Sequence, residues 1–244
     1  MPSAQLNSGP NPRHVYQVGL TEILLLLLAL GLFVFIKIQQ LDFVLADAIY
    51  GRFKWHYQNA FITEQLLHRF SRYLVILIYL GLLYKLFTQL RAAKDPQGGY
   101  HLLILLLTIA LSVIMVAVFK RLFEVDCPWD LLRYGGNKPY FSLFNYDPLY
   151  LPSAHCFPAS HASVGFSWLA LFFYFKVTPK KSSSKIIPAI VLASVIMVGF
   201  VFGFAQQLRG AHFISHDVAS FIICLVTAIS VYSLAYRRKW LNLT

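Results

Sequence analysis

His161 and His212 each stand at the start of a long apolar stretch, and Lys120 closes another. Imidazole, ammonium and guanidinium are the groups that attack, protonate and hold a phosphate ester. His212 lies in Arg209-Gly-Ala-His-Phe-Ile-Ser-His-Asp217, four residues before His216, so the two rings share a helix face, and Asp217 follows directly. A nucleophilic imidazole needs one nitrogen free and the other held by an acceptor that fixes its tautomer. His216 and Asp217 are both candidates for that acceptor, and the planar fork of Arg209 suits phosphate oxygens. The same cluster admits a metal-binding reading. It ranks lower, because one His-x3-His pair with a carboxylate is common and no other ligand cluster stands out. A polar network that only pins helices is the plainer alternative, but ionisable groups at membrane depth are costly and point to function.

His161 lies in Phe157-Pro-Ala-Ser-His-Ala-Ser163. Pro158 suits the first turn of a helix, which puts Ser160 and His161 near an amino end where the dipole favours an anion. There an imidazolium can protonate the leaving oxygen of a phosphate ester; otherwise His161 is a histidine at a membrane surface. Lys120 is either a snorkelling anchor or a point charge for phosphate, and Arg133 follows it in the same polar loop. Cys127 and Cys156 bracket that loop, either as a disulfide in an oxidising compartment or as two free thiols.

The elements that must position these groups are membrane helices. Hydrophobic residues make up 58% of the 244, charged residues only 13%, and mean hydropathy is +0.61, too apolar for an ordinary soluble domain. Crossing a bilayer takes about 20 apolar residues. Six stretches qualify, at about 18–38, 71–90, 101–119, 157–176, 186–206 and 214–236. Backbone groups in lipid must be satisfied within their own segment, so each is read as a helix. The expected fold is all-α: a six-transmembrane-helix bundle in one membrane domain, 1–244, with residues 1–15 as a flexible tail and no cleaved signal peptide.

Lys and Arg in the short loops orient it. Lys180, Lys181 and Lys185, Arg91 and Lys94, and Arg237, Arg238 and Lys239 all share a side with Arg13. That side is placed in the cytoplasm with both termini, as in a bacterial inner membrane. Segments 39–70, 120–156 and 207–213 then face the periplasm or its equivalent; they hold Lys120, Cys127, Arg133, Cys156, Arg209 and His212, while Ser160, His161, His216 and Asp217 open the spans that follow on the same side. Within 39–70, short interfacial helices are expected, with Trp55 and Tyr57 at headgroup level and His56 and His68 as surface histidines. The net charge of +11 fits anchoring to anionic lipid or attraction of a phosphorylated substrate. Nucleic-acid binding has no supporting motif. Oligomeric state is not legible.

Three outward motifs in this order resemble the type 2 phosphatidic acid phosphatase (PAP2) superfamily of membrane phosphatases. Its Lys-x6-Arg-Pro aligns with Lys120, six residues, then Cys127-Pro128. Its Pro-Ser-Gly-His aligns with Pro158-Ala159-Ser160-His161, and its Ser-Arg-x5-His-x3-Asp with Ala205-Gln206, five residues, His212, three residues, His216. Spacing and both histidines are kept. Both arginines, the second-motif serine and the closing aspartate are changed, with Arg209 or Arg133, Ser160 and Asp217 as nearby stand-ins. The resemblance implies a divergent lipid phosphate phosphatase that needs no metal or organic cofactor. In that mechanism His212 becomes a phosphohistidine, His161 protonates the leaving oxygen and Lys120 holds phosphate oxygens. The orienting group is His216 by position and Asp217 by chemistry. Expected substrates are a phosphatidic-acid-like glycerolipid, a polyprenyl diphosphate or a lipid A phosphate. The rivals are phosphoryl transfer between lipids and a non-catalytic lipid-binding or transport protein on the same bundle.

Overall fold

The computed structural model describes residues 16–92, 95–141, 154–178 and 186–237. The expected tail at 1–15 and the loop lysines Lys94, Lys180, Lys181 and Lys185 lie outside the described residues, as do Arg238 and Lys239. In chain order come α1 (Leu20–Ile38), α2 (Leu41–Phe53), a 3-10 turn (His56–Asn59), a π-helix (Phe61–Phe70) running directly into α3 (Ser71–Ala92), and α4 (Pro96–Leu122). Two short 3-10 turns follow, then α5 (Ser160–Phe166), a 3-10 turn (Ser167–Leu169), α6 (Ala170–Val177), α7 (Ile186–Leu208) and α8 (Ile214–Ala235). The described architecture is all-α.

Five of these helices are long and apolar enough to cross a membrane: Leu20–Ile38, Phe61–Ala92, Pro96–Leu122, Ile186–Leu208 and Ile214–Ala235. Side chains such as Leu27, Leu28, Leu77 and Tyr84 lie on the outside of the bundle, where a bilayer rather than water is the compatible solvent. These are the helices of an integral membrane protein.

The stretch expected as a fourth span is not among these five, so the expected count of six is not met among the described residues: the stretch is helical but broken. Its 3-10 turn at Ser167–Leu169 separates α5 from α6, and Ser163 and Ser167 turn their hydroxyls back onto the carbonyls of Ser160 and Val164. Such back-bonding bends helices. This interrupted helix is the centre of the bundle rather than its rim: Phe166, Leu169 and Phe173 are fully buried with Leu225 and Tyr232 of α8. It crosses α7 at Gly165 and Gly199, where a Cβ on Gly165 would come within 2.6 Å of the Gly199 Cα. Only small residues let membrane helices approach this closely.

The end away from the candidate residues is tied by charge. Glu22 of α1 is buried, accepts from the Tyr16 hydroxyl at 3.2 Å and forms an ion pair with Lys176 of α6. Tyr16 packs edge-on to Tyr232, which stacks on Tyr236, so the first and last described residues gather at this end.

The segment before α3 differs from expectation in two places. Trp55 is buried rather than at headgroup level, because its indole fills the space left by Gly210 and packs on Tyr50 and Tyr134. His68 is not a surface histidine of an interfacial layer. It sits on the π-helix, which is the first part of a spanning helix, and faces the bundle at His161, ring centroids 4.9 Å apart.

Candidate active site

Each motif is fixed by backbone bonds to another. Lys120 lies in the last turn of α4. The chain after it is clamped by the Cys127–Cys156 disulfide, with Cα atoms 5.3 Å apart, and by Cys156 N–H donating to the Val125 carbonyl at 2.8 Å. The second motif is bonded to the third: Ala159 N–H donates to the His216 carbonyl at 3.2 Å, and the Ser220 hydroxyl donates to the Ala159 carbonyl at 2.8 Å. The third motif is shaped by Gly210 at φ 77°, a left-handed position that ends α7. Gly210 N–H reaches the Gln207 carbonyl and Ala211 N–H that of Gln206, both at 2.9 Å. The Gly210 carbonyl then accepts from Trp129 of the first-motif loop at 2.9 Å. One end of the bundle therefore holds Lys120, His161 and His212 together.

His212 is buried in the turn between α7 and α8. Burial holds its imidazole well below the usual range, and the charges of Lys120 and His216 add to the effect. At neutral pH it is an uncharged base, the form a nucleophile requires. His161 lies within electrostatic reach of it. The Nε2 of His161 donates to the Leu67 carbonyl at 2.6 Å, which fixes the proton on that nitrogen, because a carbonyl only accepts. Leu67 belongs to the π-helix, a winding common at functional sites. His216 stands beside His212 with ring centroids 5.8 Å apart.

Asp217 does not reach His212. Successive residues on a helix point about 100° apart, so Asp217 faces α7, where Gln207 Nε2 donates to its Oδ2 at 2.5 Å. The carboxylate at the head of α8 is Asp42 of α2, which accepts from Ser215 N–H at 3.0 Å and from the Ser215 hydroxyl at 2.7 Å. Lys37 of α1 forms an ion pair with Asp42 at 2.9 Å. Asp42 thus caps α8 one residue before His216, where the helix dipole favours an anion.

The two candidate arginines separate. Arg133 is half-exposed and committed to Asp47 of α2, its Nε donating to Oδ1 at 2.8 Å. That pair holds the Asp47 carboxyl below its usual range. Arg209 turns inward. It is buried, its Nε donates to the Gln58 carbonyl at 2.8 Å and its Nη1 to Gln206 Oε1 at 3.0 Å, and it forms an ion pair with Glu64. Ser160 opens α5 beside His161 and is part-buried. Among the described residues, no group of three or more His, Cys, Asp or Glu side chains is arranged to hold a metal ion.

Sequence reasoning missed Asp42, Glu64 and the inward face of His68. Glu64 and His68 are four apart on one helix and lie 3.5 Å from each other. Read as a pair next to a spanning segment, that spacing was the available signal.

A family model of the PAP2 superfamily matches residues 101–240, which carry all three motifs. No curated protein and no solved structure matches the chain. With the match covering more than half of its length and the motif residues converging at one end of the bundle, the chain belongs to the PAP2 superfamily.

Proposed function

We propose that this membrane protein hydrolyses a lipid phosphate on the outward leaflet through a phosphohistidine. Membership of the superfamily supports phosphatase activity on lipid-like phosphates. The observation that carries the finer reading is the bonding of the second motif to the third, Ala159 N–H to the His216 carbonyl and the Ser220 hydroxyl to the Ala159 carbonyl, which brings His161 and His212 to one end of the bundle.

In this reading the substrate phosphoryl group lies between Lys120 and Arg209, whose cationic heads hold its non-bridging oxygens. An unprotonated nitrogen of His212 attacks phosphorus. The N–P bond forms as the P–O bond to the lipid breaks, and His161, entering as imidazolium with its Nε2–H held by the Leu67 carbonyl, passes its Nδ1 proton to the leaving oxygen. Neutral His161 then takes a proton from water, which attacks the phosphohistidine; the N–P bond breaks and phosphate leaves. His216 orients His212 from the first turn of α8, with Asp42 fixing that turn. Apolar helices present the lipid chains to the site from within the bilayer. The outward loops carry the cations that attract the headgroup, while the remaining basic loops stay in the cytoplasm.

The test is phosphate release from a panel of lipid phosphates by the purified protein in detergent, with and without chelator, compared with His212→Ala. Chelator-resistant release that disappears in the variant is the expected result. Release that survives in a folded His212→Ala protein removes His212 from the mechanism.

A further inference from the structure

The cations beside His161 already have an anion among them. Glu64, on the π-helix, forms ion pairs with both Arg209 and Arg69 and lies 3.5 Å from Nδ1 of His68. The side chains of Arg209 and Glu64 are only 10% and 12% exposed, so their pair is inside the protein rather than on its rim. The His68 ring in turn contacts that of His161. A carboxylate held by two guanidiniums and an imidazole, next to the proposed proton donor, has the surroundings that a phosphate would take. None of the three motifs contains it.

Building on the phosphatase reading above, we propose that Glu64 is a specificity-determining residue that stands in for the substrate phosphate. Its carboxylate holds Arg209 inward between turnovers and yields the guanidinium to an incoming phosphoryl group. A buried guanidinium without an anion is strongly unfavourable, so some counter-ion must keep Arg209 in place until substrate arrives. Glu64 has somewhere to go, because Arg69 is 60% exposed and already bonded to its Oε1 at 2.8 Å. No covalent bond changes in the exchange: the Glu64–Arg209 pair opens, a phosphate–Arg209 pair forms, and Glu64 stays with Arg69. The consequence is competition. Glu64 weakens the hold on free phosphate, which speeds product release. It also favours a terminal phosphate, with its charge of about −1.5 to −2 at neutral pH, over a singly charged phosphodiester that displaces a carboxylate less readily.

Inorganic phosphate is the probe, with binding to the full chain in detergent measured by calorimetry and by the phosphate-induced rise in melting temperature. Glu64→Gln is expected to melt lower than the parent without phosphate, since Arg209 loses its counter-ion. It is also expected to bind phosphate about tenfold tighter and to recover more of its melting temperature from it. Glu64→Asp, with the charge kept and the reach shortened, moves the same way by less, and it decides the matter alone if Glu64→Gln does not fold. A lower melting temperature with phosphate affinity unchanged or weaker makes the pair merely structural and overturns the proposal. Binding is read without turnover. Tighter phosphate binding in the variant of a chain that hydrolyses no lipid phosphate would support the role of Glu64 and count against the phosphatase reading alone.

Discussion

Arg209 donates from Nη1 to Oε1 of Gln206 at 3.0 Å, so a guanidinium three residues along the chain reaches the position where the superfamily's third motif places its own arginine. The turn at Gly210 makes this reach possible, because it ends α7 and folds the chain back over Gln206 and Gln207. The motif has lost its arginine at one position while the site keeps a buried guanidinium from another.

That relationship gives the first prediction. Arg209→Gln should lower kcat/KM by about a hundredfold, the loss typical of removing one charged donor from a transition state. Moving the charge back, as Arg209→Gln with Gln206→Arg, should recover part of it. A folded double variant no more active than Arg209→Gln would mean that the guanidinium's place does not matter.

A second prediction concerns pH. His212 has a folded-state pKa below its unfolded value, chiefly through burial. Its neutral, nucleophilic form therefore persists below about 6.5, where an ordinary imidazole begins to protonate. The acid limb of kcat/KM should lie below that value, and an acid limb at or above it would contradict the assignment. Stability carries the matching sign: in acid the unfolded chain binds this proton more readily than the folded one, so stability falls as pH drops through and below the unfolded value.

Much of this was legible in the sequence, and the reason is physical. Spanning helices announce themselves by length and apolarity, and the histidines, Lys120 and the cysteine pair lie at their ends in a fixed order. What stayed hidden depends on which way a side chain turns. Arg133 and Arg209 are equally plausible phosphate ligands by position, yet one meets Asp47 and the other Glu64. Asp217 and His216 are neighbours in sequence, and helical geometry alone sends one to Gln207 and the other toward His212. The 3-10 break at Ser167–Leu169 was masked by an apolar composition that continues straight through it.

The placement of Asp217 leads to a third prediction. His216→Asn should reduce turnover more than Asp217→Asn, whose main effect should be on thermal stability through the bond to Gln207. Steady-state kinetics and melting curves of the two variants check this. A larger loss of kcat in Asp217→Asn would return the orienting role to the carboxylate.

The disulfide supports a fourth. Cys127 and Cys156 are 29 residues apart, and a loop of that size is worth about 3 to 4 kcal/mol in the chain-entropy picture. Reduction should lower the melting temperature and shift the mobility of the protein, and Cys127→Ser should lower the melting temperature and abolish that shift. A wild-type protein that shows no such difference would argue for free thiols.

The central claim is that His212 carries the phosphoryl group. The most direct measurement is to quench the purified protein during turnover of a lipid phosphate labelled in its phosphoryl group, then map the labelled residue. Acid-labile, base-stable label on His212 that drains to inorganic phosphate, and is absent from His212→Ala, is the expected result. Turnover with no label on His212 at any time would contradict it.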